Sequence, residues 1–412
     1  MIKYSVTKSD KTLNGEAALS PNKPMNYKFL VFRILKSSNL TQRITTESED
    51  ARILDKNLLN EGIQKNRGTS AKAIRHIRSF ISYFGGEWVM SSSDIIKDNS
   101  FVKIAKVLQK FGLNVSYEER SGRPPFKIIG KNLKGKILRV DSSINSKVIE
   151  AKLLLSPSLS TEMIHELKEH IIQSGYVEMT LRALQYLGVN TDWKEAEILV
   201  EHESADGSQL VIESDWSMAS YWYEMVALAQ KGTIEIKGLN FESFQCDSVV
   251  KDIFKELGVD TQVSAESIKI KRKGKVVKKL SHDFSNYPDL VPAVVTTCVC
   301  MDIPFKISGI DSLRLKEPDR LVSLQIELKK VGANLVVEKQ DNKEILTFDG
   351  KTKFKGIKQL DFDTHNDHRM ALALTPICLK GIPITIENPW VTNKSYTTFW
   401  DDLKKVGFEV IS

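Results

Sequence analysis

Amphipathic helices, with apolar residues at positions i, i+3 and i+4, recur along the chain and are each followed by the same turn signal. Five of them end at a glycine that can take the left-handed conformation of a helix C-cap, and a short strand of alternating apolar residues follows each one. These glycines, which lie about 70 to 76 residues apart, are Gly112, Gly188, Gly258, Gly332 and Gly407. The spacing predicts repeated α/β units of a few strands and two helices each.

A doubly wound nucleotide-binding sheet is the alternative α/β fold. Its phosphate loop is rich in glycine, and the chain contains neither GxGxxG nor GxxxxGKS/T. The sequence therefore gives no reason to predict a nucleotide site.

Composition narrows the class of protein. The chain has 412 residues, which is enough for two or more hydrophobic cores. No apolar run approaches the length of a membrane span, and the N-terminus lacks the apolar core of a signal peptide. We therefore expect a cytoplasmic protein with no membrane partner. Its four cysteines show no CxxC spacing and are predicted to be reduced core thiols, with Cys298 and Cys300 facing opposite sides of a strand.

The net charge of +7 is mild for this length, and it suits an enzyme that attracts anions. The basic residues are scattered except in residues 269–279, KIKRKGKVVKK. Because no aromatic residues interrupt this basic run, we interpret it as a surface hairpin and expect no nucleic-acid partner.

Residues 313–321, LRLKEPDRL, place two acids among three bases. The segment is either a solvated surface or part of a pocket for charged substrates, and buried charges of both signs must satisfy one another. Pro318 is predicted to start the helix that follows, beside which Glu317 and Asp319 would lie.

Three further clusters carry charge at predicted helix starts. Lys23 and Lys28 flank a helix predicted from Met25, which is either an anion site or a solvated lysine pair. Asp289 begins an apolar helix, where it either caps the helix or acts as a general base. Residues 367–369, DHR, precede an apolar helix predicted at Met370–Leu379.

Lys394 has the same placement before the last helix. If the helix starts of several repeats converge, they form an electropositive cleft for two anionic substrates. Asp289 and Glu317 are then the residues expected to transfer protons.

Several of these segments resemble motifs of the 5-enolpyruvylshikimate-3-phosphate synthases (3-phosphoshikimate 1-carboxyvinyltransferases). LRLKEPDRL resembles the family segment R-x-K-E-S/T-D-R, and NDHRMALAL resembles D-H-R-M-A. PDLVPAV, VTNKSYTTFW and IESDWSMASYW resemble three further family segments. The likeness covers nearly the whole chain and is specific from about residue 205 onward.

The resemblance implies the α/β, two-domain enolpyruvyl transferase fold. Each domain would contain three repeated βαβαββ units with parallel helices, and the substrates would bind in an interdomain cleft. Residues 14–211 would form the N-terminal lobe, on the shikimate 3-phosphate side. Residues 1–13 and 212–412 would form the C-terminal lobe, on the phosphoenolpyruvate side. The family likeness also favours a monomer.

The resemblance also implies a reaction. The carboxyvinyl group of phosphoenolpyruvate passes to the 5-hydroxyl of shikimate 3-phosphate through a tetrahedral ketal, with no metal and no organic cofactor. The catalytic residues implied are Asp289, Glu317 and Lys23. Those implied for phosphoenolpyruvate are Lys23, Arg320, Arg369, Lys394, Gly68 and Lys147. Those implied for shikimate 3-phosphate are Pro24, Lys28, Asn145, Ser146, Lys147, Gln173, Asp289, Ser312 and Lys316.

The N-terminal half departs from the family pattern. Ile95 falls where the family has an arginine for phosphoenolpyruvate, Lys28 replaces another arginine, and Lys147 replaces a glutamine. Three hypotheses therefore stay open: a divergent synthase of the shikimate pathway, a paralogue of the same fold with a changed acceptor, and a catalytically silent relative that binds ligands.

Overall fold

The computed structural model describes the chain in stretches. The described residues are 2–22, 25, 86–90, 114–117, 126–130, 138–140, 149–150, 153–154, 156–158, 163–167, 174–201, 213–264, 267–316, 318–341 and 343–412. The chain divides into two compact units. The first unit comprises Met1–Asn22, Gln173–Gly175 and Ile212–Ser412, and the second comprises Lys23–Ile172 and Tyr176–Val211.

Strands and helices are numbered in chain order within the described residues. The strands are β1 (Lys3–Thr7), β2 (Thr12–Ala18), β3 (Gly86–Met90), β4 (Asn114–Tyr117), β5 (Phe126–Gly130), β6 (Leu138–Val140), β7 (Met163–Leu167), β8 (Thr191–Lys194), β9 (Glu197–Val200), β10 (Lys231–Lys237), β11 (Val259–Val263), β12 (Ser267–Arg272), β13 (Leu280–Asp283), β14 (Phe305–Ser308), β15 (Val336–Gln340), β16 (Lys343–Phe348), β17 (Leu360–Phe362), β18 (Ile384–Glu387) and β19 (Glu409–Ile411).

The α-helices are α1 (Ser174–Tyr186), α2 (Trp216–Leu228), α3 (Val250–Glu256), α4 (Val291–Cys300), α5 (Asp311–Arg314), α6 (Arg320–Lys329), α7 (His368–Leu374) and α8 (Phe399–Lys405). Short 3₁₀ helices lie at Ser156–Ser158, Cys246–Val249, Pro288–Leu290, Thr375–Lys380 and Pro389–Lys394. None of the helices in the described stretches is both long and apolar enough to span a bilayer.

The three sheets of the first unit share one topology. Their strand orders are β2-β10-β12-β11, β13-β14-β16-β15 and β17-β18-β1-β19. In each sheet the first two strands are parallel, and the remaining neighbours are antiparallel. In chain order, as in β2, β10, β11 and β12, a helix precedes the second and the third strand of each repeat, so the unit contains three βαβαββ repeats. In the first repeat the residues of the second unit lie between β2 and α2 in the sequence. The third repeat takes its last strand, β1, from the other end of the chain.

The second unit repeats this pattern where it is described. One of its sheets has the order β6-β7-β9-β8, again with a parallel first pair. The other described sheet, β3-β5-β4, is antiparallel and matches the last three strands of a repeat. The predicted architecture of repeated α/β units is therefore confirmed.

One helix of each repeat in the first unit is buried almost along its whole length. These inner helices are α2, α4 and α7 with its 3₁₀ continuation, and they pack against one another. Their sequences are mostly apolar around the helix, as expected for a helix without a solvated side, although α2 also buries Glu224. The inner helices thus form the core, and the sheets cover it.

The glycine turn signal is confirmed in four of the five repeats. Gly188, Gly258, Gly332 and Gly407 have φ angles of 82°, 84°, 78° and 86°, which lie in the left-handed region. The strands β8, β11, β15 and β19 follow them. Gly112 lies outside the described residues, and β4 begins two residues after it.

Three local predictions were wrong. Residues 269–279 do not form a hairpin, because β12 pairs with β10 and β11, whereas β13 belongs to another sheet. Cys298 and Cys300 lie on helix α4 instead of a strand, where burial on all sides suits any apolar residue. Pro318 does not start a helix, since Asp319 is the N-cap of α6. None of the four cysteines forms a disulfide, as predicted, and Cys298, Cys300 and Cys378 are buried, whereas Cys246 is only partly buried.

The predicted division of the chain at residue 14 stays a prediction. In the structure, residues 14–22 belong to the first unit because β2 pairs in parallel with β10 along its whole length.

Candidate active site

Each inner helix of the first unit begins next to an aspartate. Asp215 caps α2 by accepting from Ser217 N at 2.8 Å, and Asp367 caps α7 by accepting from Arg369 N at 2.9 Å. Asp289 lies in the 3₁₀ turn Pro288–Leu290 directly before α4. The carboxylates of Asp215 and Asp367 thereby satisfy unpaired amides of the first helical turn, whereas no side-chain cap is present at Pro288–Leu290 or at α4.

The guanidinium group of Arg369 joins the three helix starts. Its Nη2 donates to the Asp289 Oδ2 at 3.0 Å and to the Ser217 Oγ at 3.1 Å. Its Nη1 lies 3.3 Å from the backbone oxygen of Asp289 and 3.5 Å from the hydroxyl of Tyr221. Residues from α2, α4 and α7 therefore meet at one buried cation.

Arg320, the first residue of α6, extends this cluster. Its Nη1 donates to the Asp289 Oδ1 at 3.0 Å, and its Nε donates to the Asp367 Oδ2 at 2.6 Å. Asp289 therefore bridges the two arginines with one oxygen each. The Arg320 Nη2 donates no hydrogen bond to any described residue, which leaves two N–H groups for another acceptor.

The charges of the cluster depend on one another. Burial favours neutral Arg320, but the carboxylates of Asp367 and Asp289 outweigh it and raise the pKa of Arg320. Burial likewise disfavours charged Asp367, yet the Arg320 guanidinium prevails and lowers the pKa of Asp367. Both side chains are only 6% exposed, so this is an ion pair largely removed from water.

Asp247 is a further carboxyl group near the cluster, on the 3₁₀ helix Cys246–Val249. Burial, and then the charge of Asp289, raise the pKa of Asp247 to about 8. It therefore carries a proton at neutral pH, unlike Asp367.

Residues 313–321 contribute to the cluster and to the surface. Arg320 enters the buried cluster, while Arg314 pairs at the surface with Asp319 at 3.2 Å and with Glu344 at 2.7 Å. The interpretation as a solvated surface thus holds for Arg314, whereas the interpretation as a pocket for charged substrates stays a prediction.

The other predicted residues in this part of the chain are Ser312, Lys316 and Lys394. Ser312 is buried, and its hydroxyl has no hydrogen-bond partner among the described residues. Lys316 is half-buried. Lys394 Nζ donates to the backbone oxygen of Asn366 at 2.7 Å. Asn366 directly precedes Asp367, so Lys394 lies close in space to the start of α7.

The remaining predicted site residues lie outside the described residues. They are Lys23, Pro24, Lys28, Gly68, Asn145, Ser146, Lys147, Gln173 and Glu317, and Ile95, which stands in place of a family arginine, also lies outside. Of the residues that are described, the structure brings Asp289, Arg320 and Arg369 into direct contact.

Sequence reasoning did not assign Ser217, Tyr221 or Asp247 to the site. A local sequence signal for Ser217 was present. Asp215 lies two residues before Ser217 and binds its amide at the start of an apolar helix, just as Asp367 lies two residues before Arg369 and binds its amide. Asp247 has no such local signal, since its proximity to Asp289 arises only in the folded chain.

The arrangement is suited to binding small anions. Two guanidinium groups held in fixed orientations can bind a carboxylate or phosphate through paired N–H donors. Within the described stretches, no group of three or more histidine, cysteine, aspartate or glutamate side chains is placed to hold a metal ion.

Comparisons with known proteins agree with this arrangement. A model of the family EPSP synthase (3-phosphoshikimate 1-carboxyvinyltransferase) matches residues 30–403. A 3-phosphoshikimate 1-carboxyvinyltransferase from Bacteroides fragilis strain YCH46 is 30% identical over 393 residues, which is 95% of each chain. The enzyme of that name from Vibrio campbellii is 28% identical over 352 residues, covering 84% of this chain and 80% of the relative.

The fold has solved counterparts. An EPSP synthase structure from Acinetobacter baumannii superposes with a TM-score of 0.75 at 20% identity and covers 100% of both chains. At this identity the match establishes the two-domain enolpyruvyl transferase fold. Together with the sequence matches, it shows that the chain belongs to the EPSP synthase (3-phosphoshikimate 1-carboxyvinyltransferase) family.

Proposed function

We propose that this protein is a 3-phosphoshikimate 1-carboxyvinyltransferase of the shikimate pathway, which transfers the carboxyvinyl group of phosphoenolpyruvate to the 5-hydroxyl of shikimate 3-phosphate and releases phosphate. The observation that carries the proposal is the bridged cluster Arg320–Asp289–Arg369 in a chain of this family. The cluster supplies two fixed cations and a carboxylate at one place.

In this proposal the two arginines bind phosphoenolpyruvate. Its carboxylate competes with Asp289 for their N–H donors and occupies the Arg320 Nη2, which has no other described acceptor. Lys394 contributes a further cation at the start of α7. Neutralising the anion lowers the cost of bringing a second anionic substrate beside it.

Asp289 then acts as the general base. An Asp289 oxygen that no longer accepts from a guanidinium can take the proton of the 5-hydroxyl group. The oxygen of that hydroxyl group then forms the bond to C2 of phosphoenolpyruvate. Lys23 and Glu317 deliver a proton to C3 to give the ketal. One of them removes a proton from C3 as the C–O bond to phosphate breaks, which restores the double bond.

The remaining assignments concern binding. Ser312 and Lys316 bind shikimate 3-phosphate together with Pro24, Lys28, Asn145, Ser146, Lys147 and Gln173. Gly68 and Lys147 bind phosphoenolpyruvate, and Lys97 and Lys147 are the two cations that can compensate for Ile95. The protein acts as a monomer in the cytoplasm, which size-exclusion chromatography with light scattering and cell fractionation would test.

The first experiment measures phosphate release from phosphoenolpyruvate with and without shikimate 3-phosphate. We expect release only when both are present, and Asp289→Asn should lower kcat about 10²- to 10⁴-fold because a general base is lost. Asp349→Asn, at an exposed surface aspartate, is the matched control and should leave the rate unchanged.

Two outcomes would contradict the proposal. Phosphate release that needs an acceptor other than shikimate 3-phosphate would indicate a paralogue with a changed substrate. Binding of both substrates without any release would indicate a silent relative.

A further inference from the structure

Asp247 is a buried carboxyl group that the proposed mechanism does not use. Its residue is only 6% exposed. Gln245, two residues before Asp247, fixes the 3₁₀ helix Cys246–Val249 to the start of α2. Its side chain accepts from Trp216 N at 3.0 Å and donates to Ser214 O at 2.8 Å. Asp247 is thus held next to the helix start that carries Asp215 and Ser217.

The carboxyl group of Asp247 accepts no hydrogen bond from the described part of the chain, and its Oδ1 is fully buried. Asp215 and Asp367, in contrast, each accept backbone N–H donors, and Asp289 accepts from two arginines. An ionised carboxylate without donors is costly to bury, whereas the neutral acid is much less so.

The charged groups that face Asp247 are Asp289, Arg369 and Asp215. Helix α3, which packs on the same 3₁₀ helix, carries Lys251, Asp252, Lys255 and Glu256. Among the described residues of the cluster, the four carboxyl groups of Asp215, Asp247, Asp289 and Asp367 outnumber the two guanidinium groups of Arg320 and Arg369. A proton on one carboxyl group reduces this excess, and Asp247 is the one with no donor to replace it.

We infer that Asp247 is a positioning residue that stays protonated beside Asp289 and Arg369, and that an anion bound by the two arginines keeps this proton in place. The inference rests on the proposed function for the identity of the anion, phosphoenolpyruvate. Loss of the proton adds a negative charge next to Asp289 and Arg369. Deprotonation therefore weakens anion binding and shifts the guanidinium group of Arg369 toward the new carboxylate.

The direction of the pH dependence follows. Since the pKa of Asp247 is raised to about 8, the acid is neutral at pH 7 and ionised above pH 9. Affinity for phosphoenolpyruvate should fall about tenfold between about pH 7 and pH 9. A bound anion that raises the pKa of Asp247 by one unit must, by linkage, bind tenfold more weakly to the protein in which Asp247 is ionised. Phosphate groups, with a second pKa of about 6, do not titrate in this range.

The test uses titration calorimetry of the full-length protein with phosphoenolpyruvate at about pH 7 and pH 9.5. We expect the unsubstituted protein to lose about tenfold in affinity and to take up protons near pH 8, detected as heats that differ between two buffers of different ionisation enthalpy. Asp247→Asn, which mimics the protonated acid, should bind equally well at both pH values. Asp252→Asn, at an exposed aspartate on α3, is the matched control and should behave as the unsubstituted protein.

An unchanged pH dependence in Asp247→Asn, or no proton uptake by the unsubstituted protein, would overturn the inference. A second measurement is independent of function. If folded Asp247 holds a proton that the unfolded chain releases, stability falls with rising pH up to about pH 8, and Asp247→Asn lacks this loss. Equal pH slopes of stability in both proteins would also overturn it, whereas failure of all proteins to bind phosphoenolpyruvate would count against the proposed function instead.

Discussion

At the scale of single residues, the site depends on carboxylates that serve two partners each. Arg320 and Arg369 disfavour each other's charge, and Asp289 offsets this by giving one oxygen to each. Asp367 similarly caps α7 with Oδ1 and pairs with Arg320 through Oδ2. A single substitution can therefore keep one of these contacts and remove the other.

Asp367→Asn separates the two roles of this residue. The amide oxygen can still cap α7, but the amide nitrogen would meet the Arg320 Nε, so that two donors face each other. Because Arg320 keeps Asp289 as a partner but loses the nearer of its two carboxylates, we expect the free energy of unfolding to fall by about 3 kcal/mol. Urea titration followed by circular dichroism measures this loss.

The same variant should show a defined pH dependence. The pKa of Asp367 is lowered in the folded protein, so its contribution to stability is complete above the ordinary value of about 3.9 and is lost as the pH falls below it. The stability difference between Asp367→Asn and the unsubstituted protein should shrink below about pH 4. Asp349→Asn should change stability by less than about 0.5 kcal/mol at any pH, and a similarly small effect of Asp367→Asn would refute the argument.

At the scale of helices and strands, local signals were predictable and pairings were not. The left-handed glycines follow from helix periodicity and from the residue that ends each helix, and both can be read within one turn. The partner of β12 cannot be read that way, because basic residues 273–279 give the same pattern whether the next strand returns to the same sheet or enters another. For Cys298 and Cys300, β-branched neighbours favoured a strand, and packing among the inner helices overrode that preference.

Gly332 and Gly407 allow a test of these turns within one unit. Alanine at either position is strained by the left-handed backbone, at a cost of about 1–2 kcal/mol. At Gly332 a Cβ would also lie 2.9 Å from the Cβ and 3.1 Å from the backbone nitrogen of Lys353, whereas at Gly407 its close neighbour is the side-chain end of Lys8, the Nζ atom, at 3.0 Å. We expect Gly332→Ala to lower the urea midpoint clearly more than Gly407→Ala does, and equal losses would exclude a steric contribution from Lys353.

At the scale of the whole molecule, the chain ends meet in one sheet. Strand β1 lies between β18 and β19, pairs antiparallel with both, and so completes the third repeat. The sequence showed five helix–glycine–strand signals but not this closure, because pairing between Ser5 and Ile411 leaves no local pattern. The site is limited in the same way, since Arg369 and its partner Ser217 lie 152 residues apart.

A circular permutation tests whether the third repeat still folds when all its strands are contiguous in the chain. In the second repeat the corresponding strands, β15 and β16, are joined by a tight turn between Gln340 and Lys343. Because Ser5 pairs with Ile411, a flexible linker of about four residues between residues 412 and 1 should make the analogous hairpin. New ends at the exposed Gly274, between the first and second repeats, interrupt no strand pairing. We expect this variant to unfold cooperatively and to keep its phosphate release.

The same linker with new ends after Asp302 would divide the second repeat between β13 and β14, and it should fold poorly because their parallel pairing must then form between distant segments. Equal stability of the two permuted chains would show that the repeats are a pattern of topology without being units of folding.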